Sequence, residues 1–258
     1  MNDKPDQPEE EEEKEELEES SLLSHLIELR SRLMKAAGTV LVIFVPFAVY
    51  ADIVYNIVAD PLKRQLPQEW SMIATSPVST FLTPFKTAFF AAVIVAMPMV
   101  IYQAWAFVAP GLYKREKKVA LPLVLSSILL FYAGGAFAYF VVFPLVFGFL
   151  VGTTPQDVAM MPDIREYLSF VMVLIFVFGI AFEVPIAILM LVGAGIVSPD
   201  SLGRKRPYVL LGAFTVGMLL TPPDMISQTL LAIPMYVLYE IGILMARIMI
   251  KKREPAAD

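Results

Sequence analysis

Carboxylates stranded in apolar surroundings are the residues of this sequence best placed to do chemistry. Glu183 lies in GIAFEVPIAIL with no charged residue close to it along the chain. A charged side chain at the centre of a membrane helix costs at least about 2.5–3.5 kcal/mol, so it is expected to face protein or a water-filled cavity. Two readings follow: a functional contact, or a neutral glutamate hydrogen-bonding another helix. Glu240, in VLYEIGIL, raises the same question, but Arg247 lies on a similar face seven residues later and offers a structural partner. Asp224, after Pro222 and Pro223, suits the start of a helix. A second constellation is polar: Glu116 is surrounded by Lys114, Arg115, Lys117 and Lys118, and Glu28 stands near Arg30 and Arg32. Isolated carboxylates at a membrane surface suit bidentate pairing with a partner's guanidinium groups. Internal salt bridging, worth about 0–1 kcal/mol when exposed, is the other reading.

Enzymatic chemistry has little to work with. His25 is the only histidine and there is no cysteine. Disulfides and thiolate metal sites are therefore excluded. The sequence contains no Gly-rich phosphate loop, no HExxH and no GxSxG. No cofactor, no metal and no nucleic-acid partner are expected, and the chain does not read as an enzyme.

The elements that must position these carboxylates are membrane helices. The chain is 57% hydrophobic and 17% charged, with a mean hydropathy of +0.67, far more apolar than a soluble domain. Residues 1–19 carry eleven acids against Lys4 and Lys14, a charge of -9 out of the overall -5, which leaves +4 for the rest. That acidic tail cannot bury a core and is expected to be disordered. No cleavable signal peptide is visible at the acidic N-terminus. A short amphipathic helix is expected from about Ser20 to Lys35, lying in the interfacial plane with His25, Glu28 and Arg32 on its polar face. Six apolar stretches follow at about 33–51, 82–107, 119–150, 167–196, 208–221 and 225–250. A crossing needs about 20 residues, and the fifth, Tyr208 to Thr221, has only 14. The fifth and sixth thus read as a short hairpin whose tip sits below the far surface.

If both termini are cytoplasmic, sixteen of the twenty Lys and Arg residues fall inside, leaving Lys63, Arg64, Lys86 and Arg165 outside. The positive-inside rule favours that orientation. Prolines at 46, 84, 98, 122, 144, 185 and 234 are expected to kink the spans. Packing through Gly134, Gly135, Gly148, Gly179 and Gly193 then implies a curved bundle. The expected fold is all-α: a six-helix transmembrane domain over 20–253, with 254–258 as a short cytoplasmic tail. On residues alone the rival reading is an ion- or proton-coupled secondary transporter using Glu183. It lacks the internal repeat such proteins commonly show.

Several long motifs carry a family resemblance: SHLIELRSRL, YQAWAFVAPGLYKREKK, FPLVFGFL, FGIAFEVP, SPDSLGRKRPYVLLGAF and GMLLTPPDMISQTLLAIPMYVLYEIG. Together, from about Ser20 to Arg253, they resemble TatC, the membrane receptor of the twin-arginine protein translocase. The resemblance implies a cup-shaped six-span fold in the bacterial inner membrane. It implies recognition of twin-arginine signal peptides on folded precursors and self-association in a receptor complex. It also implies assembly with single-span TatA and TatB partners for export driven by the proton-motive force. Signal-peptide contact would fall on Glu116, Phe107 and Lys114, and on Glu28 with His25, Leu29 and Arg30. Glu183 would meet a polar group of a partner helix on a concave surface. Partner binding would fall around Met218, Leu219, Thr221 and Gln228, and Pro61 and Asp224 would matter on the periplasmic side.

Overall fold

The computed structural model describes residues 7–65, 73–112, 117–153, 161–221 and 224–253, with side chains over 23–60, 73–107, 121–153, 161–221 and 224–251. Its elements are α1 (Gln7–Val49), α2 (Ala51–Gln65), α3 (Pro77–Leu112), α4 (Lys117–Phe137), a π-turn (Ala138–Val142), α5 (Phe143–Gly152), α6 (Ile164–Gly193), α7 (Pro199–Arg204), α8 (Arg206–Leu220) and α9 (Met225–Arg253). Five stretches are long and apolar enough to cross a membrane: Leu23–Val49, Pro77–Phe107, Leu121–Gly152, Ile164–Gly193 and Met225–Lys251. The fifteen residues of α8 form a shorter apolar helix, about 22 Å at about 1.5 Å per residue. The expected all-α polytopic plan is thus present, with a short fifth helix.

Three expectations change. The interfacial helix and the first span are one continuous helix, because nothing between Lys35 and Thr39 breaks it and Gly38 alone costs only about 1 kcal/mol. The same helix begins at Gln7, inside the stretch expected to be disordered. Glu and Lys are good helix formers, and Glu10 and Lys14 stand in the favourable i,i+4 order. The sixth helix is not short: α9 has 29 residues, and its basic end Lys251–Arg253 continues the helix past the apolar stretch. Two elements were not foreseen, α2 and α7, because a search for long apolar runs passes over half-polar segments such as ADIVYNIVADPLKRQ.

The core sits where α4, the π-turn, α5 and α6 meet. Phe143, Val146, Leu168, Val171, Leu174 and Phe178 are buried there. Phe143 stacks on Phe147 with centroids 5.5 Å apart, and Tyr167 meets Phe143 edge-on at 5.5 Å. Small residues let the backbones close in. A Cβ at Gly134 would lie 2.4 Å from the Phe178 carbonyl oxygen, and one at Gly179 would lie 2.5 Å from the Phe131 ring. Gly242 plays the same part between α9 and α6, against Ile188 and Pro185. Gly148, expected in a helix contact, has open space around it because its side of α5 faces outward.

Pro144 explains the π-turn. Proline has no N–H, and its ring collides with the carbonyl four residues back in a regular helix, here that of Phe140. The widened turn instead closes with the Phe143 N–H donating to the Ala138 carbonyl. Elsewhere large apolar side chains point outward, among them Leu33, Val42, Leu129, Phe140, Leu211 and Leu219. In a chain with five crossing helices this is the surface offered to lipid.

Candidate functional site

The carboxylate constellations occupy two regions, one at the end of the bundle holding the basic clusters and one inside it. At the basic end, α1 and α3 bring Glu28, Arg32, His25, Gln103 and Phe107 together. Arg32 Nε and Nη2 both donate to Oε1 of Glu28, at 2.9 and 2.5 Å. Arg32 Nη1 also donates to the buried Gln103 amide oxygen at 3.4 Å, which fixes the arginine against α3. Both guanidinium nitrogens use one carboxylate oxygen, so Glu28 Oε2 takes no hydrogen bond from the described residues. The His25 ring packs on Phe107 with centroids 4.9 Å apart, and Leu29 and Arg30 are exposed beside them. Lys114 and Glu116 lie outside the described residues.

Inside the bundle, Glu183 is set by α6 between α3 and α4. Both of its carboxyl oxygens are buried and accept no hydrogen bond. Its polar neighbour is the Ser127 hydroxyl of α4, which lies alongside without a hydrogen bond of ordinary geometry. Ser127 is fully buried, and its oxygen accepts from Trp105 Nε1 of α3 at 2.8 Å. Ser127 therefore keeps its own proton to give. A buried carboxyl with open acceptor sites is costly unless a donor reaches it. Neither Trp105 nor Ser127 was singled out in the sequence, since each reads as ordinary span composition.

Glu240 is paired, but not with Arg247. Arg206 of α8 meets it fork to fork, Nε to Oε1 and Nη2 to Oε2, both at 2.6 Å. Arg247 turns instead to Asp200 of α7 at 3.5 Å. Seven residues span about 10.5 Å along a helix, whereas the facing helix delivers a planar guanidinium at bidentate distance.

The α8–α9 edge divides. Met218 and Leu219 are exposed, whereas Thr221 is buried and donates to the Gly217 carbonyl at 3.0 Å. Gln228 is half-buried where α9 passes close to Gly217. Asp224 caps α9 as expected, with Oδ1 accepting from Ser227 N at 2.6 Å; its Oδ2 is buried without a partner. Pro61 lies within α2, and its side chain is outside the described ones. The opposite end holds a residue the sequence reading missed. Asp163 caps α6 by accepting from Arg165 N at 2.8 Å and Glu166 N at 3.4 Å. Its other oxygen accepts from Thr75 N at 3.0 Å and Thr75 Oγ1 at 2.5 Å. Ile73 is joined by a parallel bridge to the same residue, so the start of α3 is stapled to the start of α6. The Thr75 hydroxyl, then the Thr75, Arg165 and Glu166 amides, hold the Asp163 carboxyl down to about 2. An aspartate directly before an apolar helix is an N-cap signal that could have revealed half of this role.

A membrane-spanning helical bundle with a basic recognition face and an internal, unsatisfied carboxyl is the architecture of a polytopic receptor or assembly subunit. The sequence profile described as "Sec-independent protein translocase protein (TatC)" matches residues 24–234. A Sec-independent protein translocase protein TatC of Escherichia coli (strain K12) is 55% identical over 231 residues, covering 90% of either chain. That of Azotobacter chroococcum mcd 1 is 53% identical over 237 residues, covering 92% of this chain and 93% of its own. A solved structure, "Crystal Structure of Twin Arginine Translocase Receptor- TatC", superposes with a TM-score of 0.80 at 38% identity, covering 87% of this chain and 98% of that one. The chain belongs to the TatC family. It is a multi-pass membrane component of Sec-independent, twin-arginine protein translocation, and not an enzyme. These relatives give no support to a solute transporter using Glu183.

Proposed function

We propose that this chain is a receptor for twin-arginine signal peptides, seated in the bacterial inner membrane with both termini in the cytoplasm. The observation that carries the proposal is the half-used carboxylate at the basic end. Glu28 is held in place by Arg32 through one oxygen while the other oxygen takes no described partner. An incoming guanidinium can occupy the open oxygen, and a lysine ammonium would gain less there because it lacks the planar fork. Glu116, on the loop that follows α3, supplies a second carboxylate for the second arginine. Phe107 and His25 provide an apolar wall beside the site, and Arg30 and Lys114 hold the face at anionic lipid.

Glu183 is the place where the chain meets its translocase partners. Its unsatisfied oxygens accept from a polar group on a TatA- or TatB-type helix, whose apolar part lies along the exposed Met218 and Leu219. Thr221 and Gln228 border that edge, and Pro61 and Asp224 support its outer side. Copies of the chain self-associate in the receptor complex, and export is driven by the proton-motive force.

Photocrosslinking from positions 28 and 116 to a twin-arginine peptide, against a twin-lysine control, tests the receptor reading. Crosslinks should form with the twin-arginine peptide and fall at least about tenfold with twin lysine, the equivalent of about 1.4 kcal/mol. Glu116→Gln should weaken capture in the same assay while the protein still inserts; equal crosslinking by both peptides contradicts the proposal. Glu183→Ala should lose TatA or TatB co-purification while retaining peptide crosslinking. Normal partner association by that variant would remove Glu183 from the interface.

A further inference from the structure

Two of the four basic residues away from the basic end, Lys86 and Arg165, line one cleft. The cleft, about 570 Å³, lies between α1, the first turns of α3 and the start of α6. No acidic residue lines it. Lys86 belongs to the membrane-crossing length of α3, where a cation is unfavourable unless it reaches water or an anion. Its Nζ donates to Ser169 Oγ at 2.8 Å, and Ser169 Oγ in turn donates to the Arg165 carbonyl at 2.6 Å. The ammonium is thereby drawn along α6 toward Arg165, with two of its three protons unused by the described residues. The Arg165 guanidinium has no ion-pair partner among the described residues. The nearby Asp163 carboxylate is engaged by Thr75 and the first amides of α6. Glu166 does not line the cleft. Below the two cations the wall turns apolar: Phe44 meets Phe89 edge-on at 5.5 Å, and Phe85 lies beside them.

A pair of unneutralised cations above an aromatic wall, at the depth where headgroups give way to chains, matches an anionic amphiphile. We propose that this cleft binds an anionic glycerophospholipid of the outer leaflet, its phosphate shared by Lys86 and Arg165. The upper acyl chain lies on Phe44, Phe85 and Phe89. Arginine takes phosphate through its rigid fork and lysine as a point charge. Net charge, not the phosphate alone, sets the preference, because a choline headgroup brings its own cation to the site.

The test uses the full chain in phosphatidylcholine vesicles containing a trace of photoactivatable phosphatidylglycerol, with photoactivatable phosphatidylcholine in a parallel sample. After illumination, mass spectrometry locates the labelled peptides. Phosphatidylglycerol should label the first half of α3 and the start of α6 several-fold more than phosphatidylcholine. K86Q/R165Q should lower that labelling by about tenfold, as expected for losing charge-assisted hydrogen bonds. K86R/R165K, which keeps both charges, should retain most of it. Excess glycerol phosphate in the buffer should not compete. Equal labelling by the two lipids, or undiminished labelling of K86Q/R165Q, overturns the proposal. Loss of labelling in K86R/R165K would assign the effect to packing and overturn it as well. Competition by glycerol phosphate would assign the cleft to a soluble phosphate instead of a lipid.

Discussion

At the scale of single residues, the bundle separates carboxylates that are finished from carboxylates that are waiting. Glu240 and Asp163 are finished: each has its oxygens engaged by fixed donors. Glu28 and Glu183 keep open acceptor sites. The Asp163 staple should be insensitive to pH through the neutral and mildly acidic range. Its folded-state value of about 2 lies below the ordinary 3.8, so its contribution is present above about pH 4 and is lost as pH falls through about 2. Hydrogen exchange at the Thr75 and Arg165 amides checks this: protection should be flat from pH 7 to about pH 4 in the native chain and reduced throughout in Asp163→Ala. For the Arg206–Glu240 pair, partly exposed at 44% and 31%, Arg206→Lys should cost no more than about 1 kcal/mol in detergent unfolding. Glu28, Glu183 and Asp224 could be picked from the sequence because carboxylates in apolar or basic surroundings are conspicuous. Their partners could not. Arg206 and Arg247 are equally plausible for Glu240 on paper, and only helix pairing decides between them.

At the scale of elements, hydropathy made the long helices legible, and their boundaries moved by only a few residues. What escaped was of two kinds. Short or half-polar helices such as α2 and α7 bury one face and carry no long apolar run. Continuity also escaped: α1 runs straight through the expected interfacial turn, because the decision to bend lies with the lipid and with α3. Glycine contacts were half readable. Gly134→Ala should destabilise the bundle by about 1–3 kcal/mol, since the new methyl meets a backbone carbonyl that cannot step aside. Gly148→Ala, with nothing around it, should instead stabilise α5 by about 0.5–1 kcal/mol. Parallel unfolding curves for the two variants in one detergent would show opposite signs. If both destabilise alike, the close approach of α4 to α6 is not what Gly134 serves.

At the scale of the whole molecule, the distribution of basic residues predicts a sidedness that labelling can read directly. The absence of cysteine leaves a clean background. Single cysteines at the exposed positions Ser31 and Lys205 should stay unreactive to an impermeant maleimide added from outside. A cysteine at the exposed Ala74 should react. The reverse pattern would invert the proposed orientation and move the recognition face to the wrong compartment. The π-turn sets a further condition on the whole arrangement. It is one surplus residue inserted into a span, and each residue of a regular helix advances the side-chain azimuth by about 100°. Everything after Val142 is therefore phased by that insertion, including Phe143 and Phe147, which face Tyr167. Deleting a single residue from Ala138–Val142 would restore an uninterrupted α-ladder and yet swing this aromatic cluster toward lipid. The third span should thus tolerate many substitutions over 138–142 but no change in its residue count, so a deletion scan should lose folded protein where a substitution scan does not.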